Sequence, residues 1–168
     1  MKKIAAVILL LLAAALSGAP DSLADSLDSV ARIQRDLTTP TNLSSVNSTS
    51  SDFAPYVSAS GDMLYFSSNR DDDQEDFYVS EFQGKRWGKP VPLGEPINSD
   101  ANEGSMAISA DGTMIVFTAC GRTDTYGGCD LYFSELTSSG WSEPRNMGRN
   151  VNSKVWDGHP SISSDGNW

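Results

Sequence analysis

The sequence predicts an all-β chain. Three observations carry this expectation: an internal repeat at offsets of 51 and 54 residues, short strand-like runs joined by Ser-Gly or Asp-Gly turns within each copy, and strand centres that are apolar on both faces. A repeat of that period marks an array of stacked supersecondary units. Runs apolar on both faces need cover from both sides. Four-stranded sheets stacked face to face around an axis meet both conditions, so the architecture expected is a β-propeller of four-stranded antiparallel blades. It is incomplete, at about two and a third repeats, and follows an N-terminal signal peptide. A twisted sandwich has no reason to repeat at this period.

The first element is an address. Lys2 and Lys3 precede an apolar run from Ile4 to Leu16, a charged region followed by a short hydrophobic one, as in a secretory leader. The run is shorter than the ~20 residues a membrane-spanning helix needs. Small residues place the cut after Ala19 or Ala24, giving a leader over residues 1–24. No cysteine stands near the cut to accept a lipid. The chain is therefore expected in the periplasm or secreted, with no membrane span after cleavage. Residues 25–45 read as a linker or short helix: over Asp21 to Leu37, Leu23, Leu27, Val30, Ile33 or Gln34, and Leu37 fall at helical spacing, and a Ser/Thr/Asn-rich loop follows.

The repeats come next, over 46–96, 97–150 and a truncated 151–168. Val46-Asn47-Ser48, Ile97-Asn98-Ser99 and Val151-Asn152-Ser153 open the three copies. Ser58-Ala59-Ser60-Gly61 recurs as Ser109-Ala110-Asp111-Gly112 and Ser163-Ser164-Asp165-Gly166. Asp76-Phe77-Tyr78-Val79-Ser80-Glu81 matches Asp130-Leu131-Tyr132-Phe133-Ser134-Glu135, and Trp87, Pro90 and Gly94 match Trp141, Pro144 and Gly148. First strands are expected over 55–58 and 106–109, second strands over 63–67 and 114–118, and third strands over 77–81 and 131–135. A short fourth strand closes each copy. The paired Trp87 and Trp141 are expected to pack at the joints.

The stretch Ile108-Ser109-Ala110-Asp111-Gly112 leading to Val116-Phe117, then Asp130-Leu131-Tyr132, resembles the WD-like propeller repeat of TolB-type periplasmic proteins. Trp141-Ser142-Glu143-Pro144 through Met147-Gly148 and Val151-Asn152-Ser153 is similar to blade joints of envelope proteins in which such repeats accompany an OmpA-like peptidoglycan-binding domain. The resemblance covers roughly residues 40–168. It implies an exported module that binds or scaffolds protein or peptidoglycan and other cell-envelope components. Closed propellers take about 4–8 blades, so the chain reads as a fragment of a longer protein, and open blade edges invite self-association.

Charge narrows the partners. With 12 Lys+Arg against 22 Asp+Glu and a net charge of −10, the chain has no basic stripe to neutralise phosphates, and nucleic acid is not an expected partner. No cofactor is expected and no resident metal, because two cysteines and one histidine are too few for a zinc site. Catalysis is not expected either. There is no Gly-x-Ser-x-Gly elbow or His-Glu-x-x-His, and His159 has no paired nucleophile. The rival reading is the propeller portion of a secreted glycoside hydrolase or peptidase whose catalytic part lies elsewhere.

Four residues are candidates for binding. Asp52, Glu103 and Asp157 hold equivalent positions before the first strand of each copy, and Arg70 follows the second strand of the first. The three acids could line an anionic mouth for a cation or amine, or serve a turn or joint within the repeat. Cys120 and Cys129 flank an eight-residue loop at a hairpin end in an exported chain, which predicts a disulfide. Asp71 to Asp76 is an acidic loop whose oxygens could hold Ca²⁺. Its spacing lacks the order of an EF-hand, and a solvated loop is the simpler expectation.

Overall fold

The computed structural model describes residues 40–165. The expected leader, the helix or linker as far as residue 39, and residues 166–168 lie outside the described residues. The chain divides between Asn42 and Leu43 into two units, and all strands belong to the second. Among the described residues there is no helix, hence none long and apolar enough to cross a membrane.

Two antiparallel sheets follow one another along the chain. The first is β1 (Asp52–Val57), β2 (Met63–Ser68), β3 (Asp76–Glu81) and β4 (Val91–Pro92), paired in that order. The second is β5 (Asn102–Ile108), β6 (Met114–Cys120) and β7 (Cys129–Thr137), with β8 (Gly140–Trp141) and β9 (Arg145–Asn146) both on β7. The registers coincide: Phe66 faces Tyr78 as Phe117 faces Tyr132, and Tyr78 faces Pro92 as Tyr132 faces Asn146. The extra strand β8 has its counterpart in a single bridge, Phe82 to Trp87. Sequence equivalence thus becomes backbone equivalence.

The first strand of each sheet begins earlier than the apolar pattern suggests, at Asp52 and Asn102. A β-bulge between Phe53 and Tyr56, and another between Glu103 and Met106, interrupts the alternation that marks a strand in sequence. The turns are longer than two residues. Ser58 and Ser109 each accept the N–H of the next strand's first residue on Oγ, Met63 or Met114 at 3.0 Å. Gly61 and Gly112 take φ of +79° and +74°, which a side chain would oppose.

The sheets pack face to face. Phe77, Tyr56 and Tyr65 of the first meet Met106, Ile108, Ile115, Phe117 and Tyr132 of the second in one core. Phe77 and Phe117 cross edge-to-face at 5.6 Å, a geometry aromatic rings favour. Ile115, Val116 and Phe117 are all buried, so the continuous apolar run is covered on both faces. The Tyr78 face of the first sheet carries a second cluster, Val46, Leu64, Phe66 and Tyr78, packed with Trp87.

The disulfide forms. Cys120 and Cys129, the last registered pair of β6 and β7, are joined with Cα atoms 4.1 Å apart. Closing so short a loop restricts the unfolded chain modestly, so Cys120→Ser/Cys129→Ser is expected to cost about 2–3 kcal/mol. Urea unfolding of the oxidised protein against the double variant measures this, and a difference near zero would contradict it.

Candidate functional site

The repeat-equivalent carboxylates sit where each copy begins. Ser48, Ser99 and Ser153 stand four residues before Asp52, Glu103 and Asp157, and in all three copies the serine donates both its backbone N–H and its hydroxyl to the acid. A short side chain that closes a turn on backbone donors is the ordinary business of such residues. The acid then meets an arginine. Asp52 Oδ1 accepts from Ser68 Oγ at 2.7 Å and pairs with Arg70, whose guanidinium also donates to Val46 O at 3.0 Å. Glu103 Oε1 pairs with Arg122 Nη2 at 2.9 Å, and Arg122 also donates to Ile97 O.

Each arginine lies over two rings of its own sheet. Arg70 is 4.9 and 4.8 Å from the centroids of Phe66 and Tyr78, and Arg122 is 5.3 and 5.4 Å from Phe117 and Tyr132. Guanidinium over an aromatic face adds attraction to the ion pair. Of the four candidate binding residues, the structure brings Asp52 and Arg70 together and places Glu103 with Arg122 instead. Asp157 is held by Ser153. Arg122 had a legible signal, since it closes β6 as Arg70 closes β2, one residue out of register with the repeat.

Burial separates the two ion pairs. The Glu103 side chain is fully buried, whereas that of Asp52 is 10% exposed. Burial pushes the Glu103 carboxyl above its ordinary value, and bonds from Ser99 and Arg122 recover only part of this. Burial also opposes ionisation at Asp52, but the donors Ser48, Ser68 and Arg70 outweigh it and hold the carboxyl at about 2. The stability Asp52 contributes is therefore present above its unfolded value of 3.8 and is lost as pH falls toward 2. Wild type should lose stability relative to Asp52→Asn between those pH values, and parallel urea midpoints across that window would refute it.

A second repeated geometry locks a copy to the one before, at two joints. Asn98 takes the N–H of Phe77 on Oδ1 and gives Nδ2–H to the Phe77 carbonyl, both at 3.0 Å. Asn152 does the same to Leu131, at 2.8 and 3.0 Å. Beside these clamps, Glu103 N–H donates to Glu75 O at 2.7 Å and Asp157 N–H to Cys129 O at 2.9 Å. Gly127 fits because a Cβ there would lie 2.4 Å from the Val155 carbonyl oxygen.

The acidic loop is partly engaged. Asp71 accepts from the Tyr78 hydroxyl at 2.8 Å and Asp72 from Gln74 N–H at 2.9 Å. Burial, then the charges of Asp72 and Asp71, raise the Asp76 carboxyl, and its Oδ1 has no hydrogen-bond partner. Its equivalent Asp130 instead collects the N–H groups of Tyr126 and Gly127 and the amide of Asn146. Among the described residues no three His, Cys, Asp or Glu side chains are grouped to hold a metal ion. No protein family matches the chain, and no curated protein matches it.

Proposed function

We propose that the chain is a piece of a TolB-like β-propeller, exported to the periplasm or outside the cell, that binds or scaffolds protein or cell-envelope partners without catalysing a reaction. The observation that supports this best is the repeated joint. Asn98 and Asn152 clamp successive copies by the same pair of bonds, so one docking operation generates the array. Repetition of one operation is how propellers are built, and it leaves strand-end loops displayed on rigid sheets for recognition. The disulfide supports an oxidising compartment. The carboxylates before each first strand all accept from serine, and Asp52 and Glu103 also pair with arginine, so they serve the repeat itself.

The experiment is the structure and location of the whole encoded product. A closed ring of about 4–8 blades, recovered from the periplasm or medium with the leader removed and the cysteines oxidised, is the expected result. A reduced cytoplasmic protein, or a two-sheet fold that does not continue, would refute the reading. Turnover of glycoside or peptide substrates would favour the hydrolase alternative.

A further inference from the structure

We infer that the first sheet pairs with the same sheet of a second copy of this chain, through a basic hairpin at one end of β3 and an acidic loop at the other. Charge is sorted along this strand. Residues 71–81 hold six acids and no base, whereas residues 82–94 hold Lys85, Arg86 and Lys89 and no acid. Asp71, Asp72 and Asp73 are exposed, as are the three bases. Among the described residues none of these side chains has an ion-pair partner. Neither block belongs to the repeat. The equivalent hairpin, Thr137 to Glu143, has no base, and in the equivalent loop Arg122 and Asp124 are bonded within their own copy. Nor does the lack of a neighbouring sheet expose them. The loop is exposed with the second sheet packed on the first, and the hairpin's equivalents in that second sheet are exposed or half-buried with the first packed on them.

A strand of this length sets the two blocks about 20 Å apart, too far to meet within one chain. Two chains side by side, related by a twofold axis across β3, set each hairpin against the other chain's loop. The twofold makes the contact twice, and the second pairing follows the first at high effective concentration. Single exposed ion pairs contribute little, so this repetition matters. Apolar groups lie alongside. Val91, registered with Val79 at the middle of β3, is 54% exposed, and Phe82 is 39% exposed with its ring 5.2 Å from Trp87. Covering them removes apolar surface from water. The edge strand β4 does not template a further strand, because it is two residues long and Pro90 and Pro92 lack N–H groups. Side-chain charge therefore sets the pairing. Anionic lipid is a poorer occupant, since such sites gather about 4–8 bases and the net charge here is −10. An unrelated acidic segment would fill the hairpin and leave the loop unmatched.

The test follows the mass of the full chain by sedimentation at rising salt. The expected result is a dimer whose dissociation constant rises about tenfold or more between about 0.01 and 1 M salt, as the screening length falls from about 30 to 3 Å. Lys85→Glu/Arg86→Glu/Lys89→Glu and, separately, Asp72→Lys/Asp73→Lys should each weaken the dimer about tenfold or more. Mixed in equal amounts, the two variants should pair with each other. The reversed hairpin of one then meets the reversed loop of the other, and the two native blocks also meet. If the triple variant does not fold, Arg86→Gln should still weaken the dimer several-fold. A monomer at low salt overturns the proposal. A dimer indifferent to salt and to both reversals overturns it too, since apolar sheet faces would then hold the copies together. So does failure of the two folded variants to pair, or a monomer that binds phosphatidylglycerol vesicles through the hairpin.

Discussion

Replacing Arg122 with alanine is expected to destabilise the fold by about 3–5 kcal/mol, because it strands a fully buried carboxylate. Glu103 would keep only the two donors of Ser99. The deficit should also depend on pH. A carboxyl whose folded pKa lies above its unfolded value contributes stability that is complete below the unfolded value and is lost as pH rises through the folded one. Burial already places Glu103 in that class, and removing the guanidinium moves it further. Urea unfolding should therefore show a larger loss at pH 7 than at pH 4. Arg70→Ala is the internal control: Asp52 keeps Ser48 and Ser68 and touches solvent, so its loss should be smaller. Equal losses in the two variants would show that burial does not set the value of these pairs.

Asn98→Ala should also be damaging, by a different route. The amide takes the N–H of Phe77, a residue with no exposed surface, and shares its carbonyl with the N–H of Leu93. Leaving the buried N–H unmade costs about 1–3 kcal/mol, while the carbonyl keeps Leu93. The variant should unfold at lower urea, and the Phe77 amide should lose protection from hydrogen exchange. Asn152→Ala breaks the same clamp on Leu131, which is only half-buried, so water can replace part of what is lost. If the two asparagine variants proved equally harmful, burial of the clamped strand would not be the controlling factor.

The two joints also show which information lies along the chain. The 51- and 54-residue offsets, the apolar second strands, the turn glycines and the Cys120–Cys129 pair are legible because each is a local pattern or a comparison of the chain with itself. Strand starts were less legible. Asp52 to Tyr56 and Asn102 to Met106 contain a bulge, and a bulge breaks the period of two on which a strand is recognised. The roles of the acids were open for a similar reason. Their spacing from Ser48, Ser99 and Ser153 is visible, but the arginines that Asp52 and Glu103 meet are brought to them by strand register.

The sequence by itself determined an all-β repeat with a disulfide at one hairpin end, because periodicity and turn chemistry act over a few residues. Only the tertiary structure decided that Glu103 pairs with Arg122 and Asp52 with Arg70, that burial divides two otherwise equivalent carboxylates, and that Asn98 and Asn152 clamp the preceding copy. Those partners lie about twenty residues apart in sequence. They meet through strand register and sheet packing, and solvent access at each is set by what the neighbouring sheet covers.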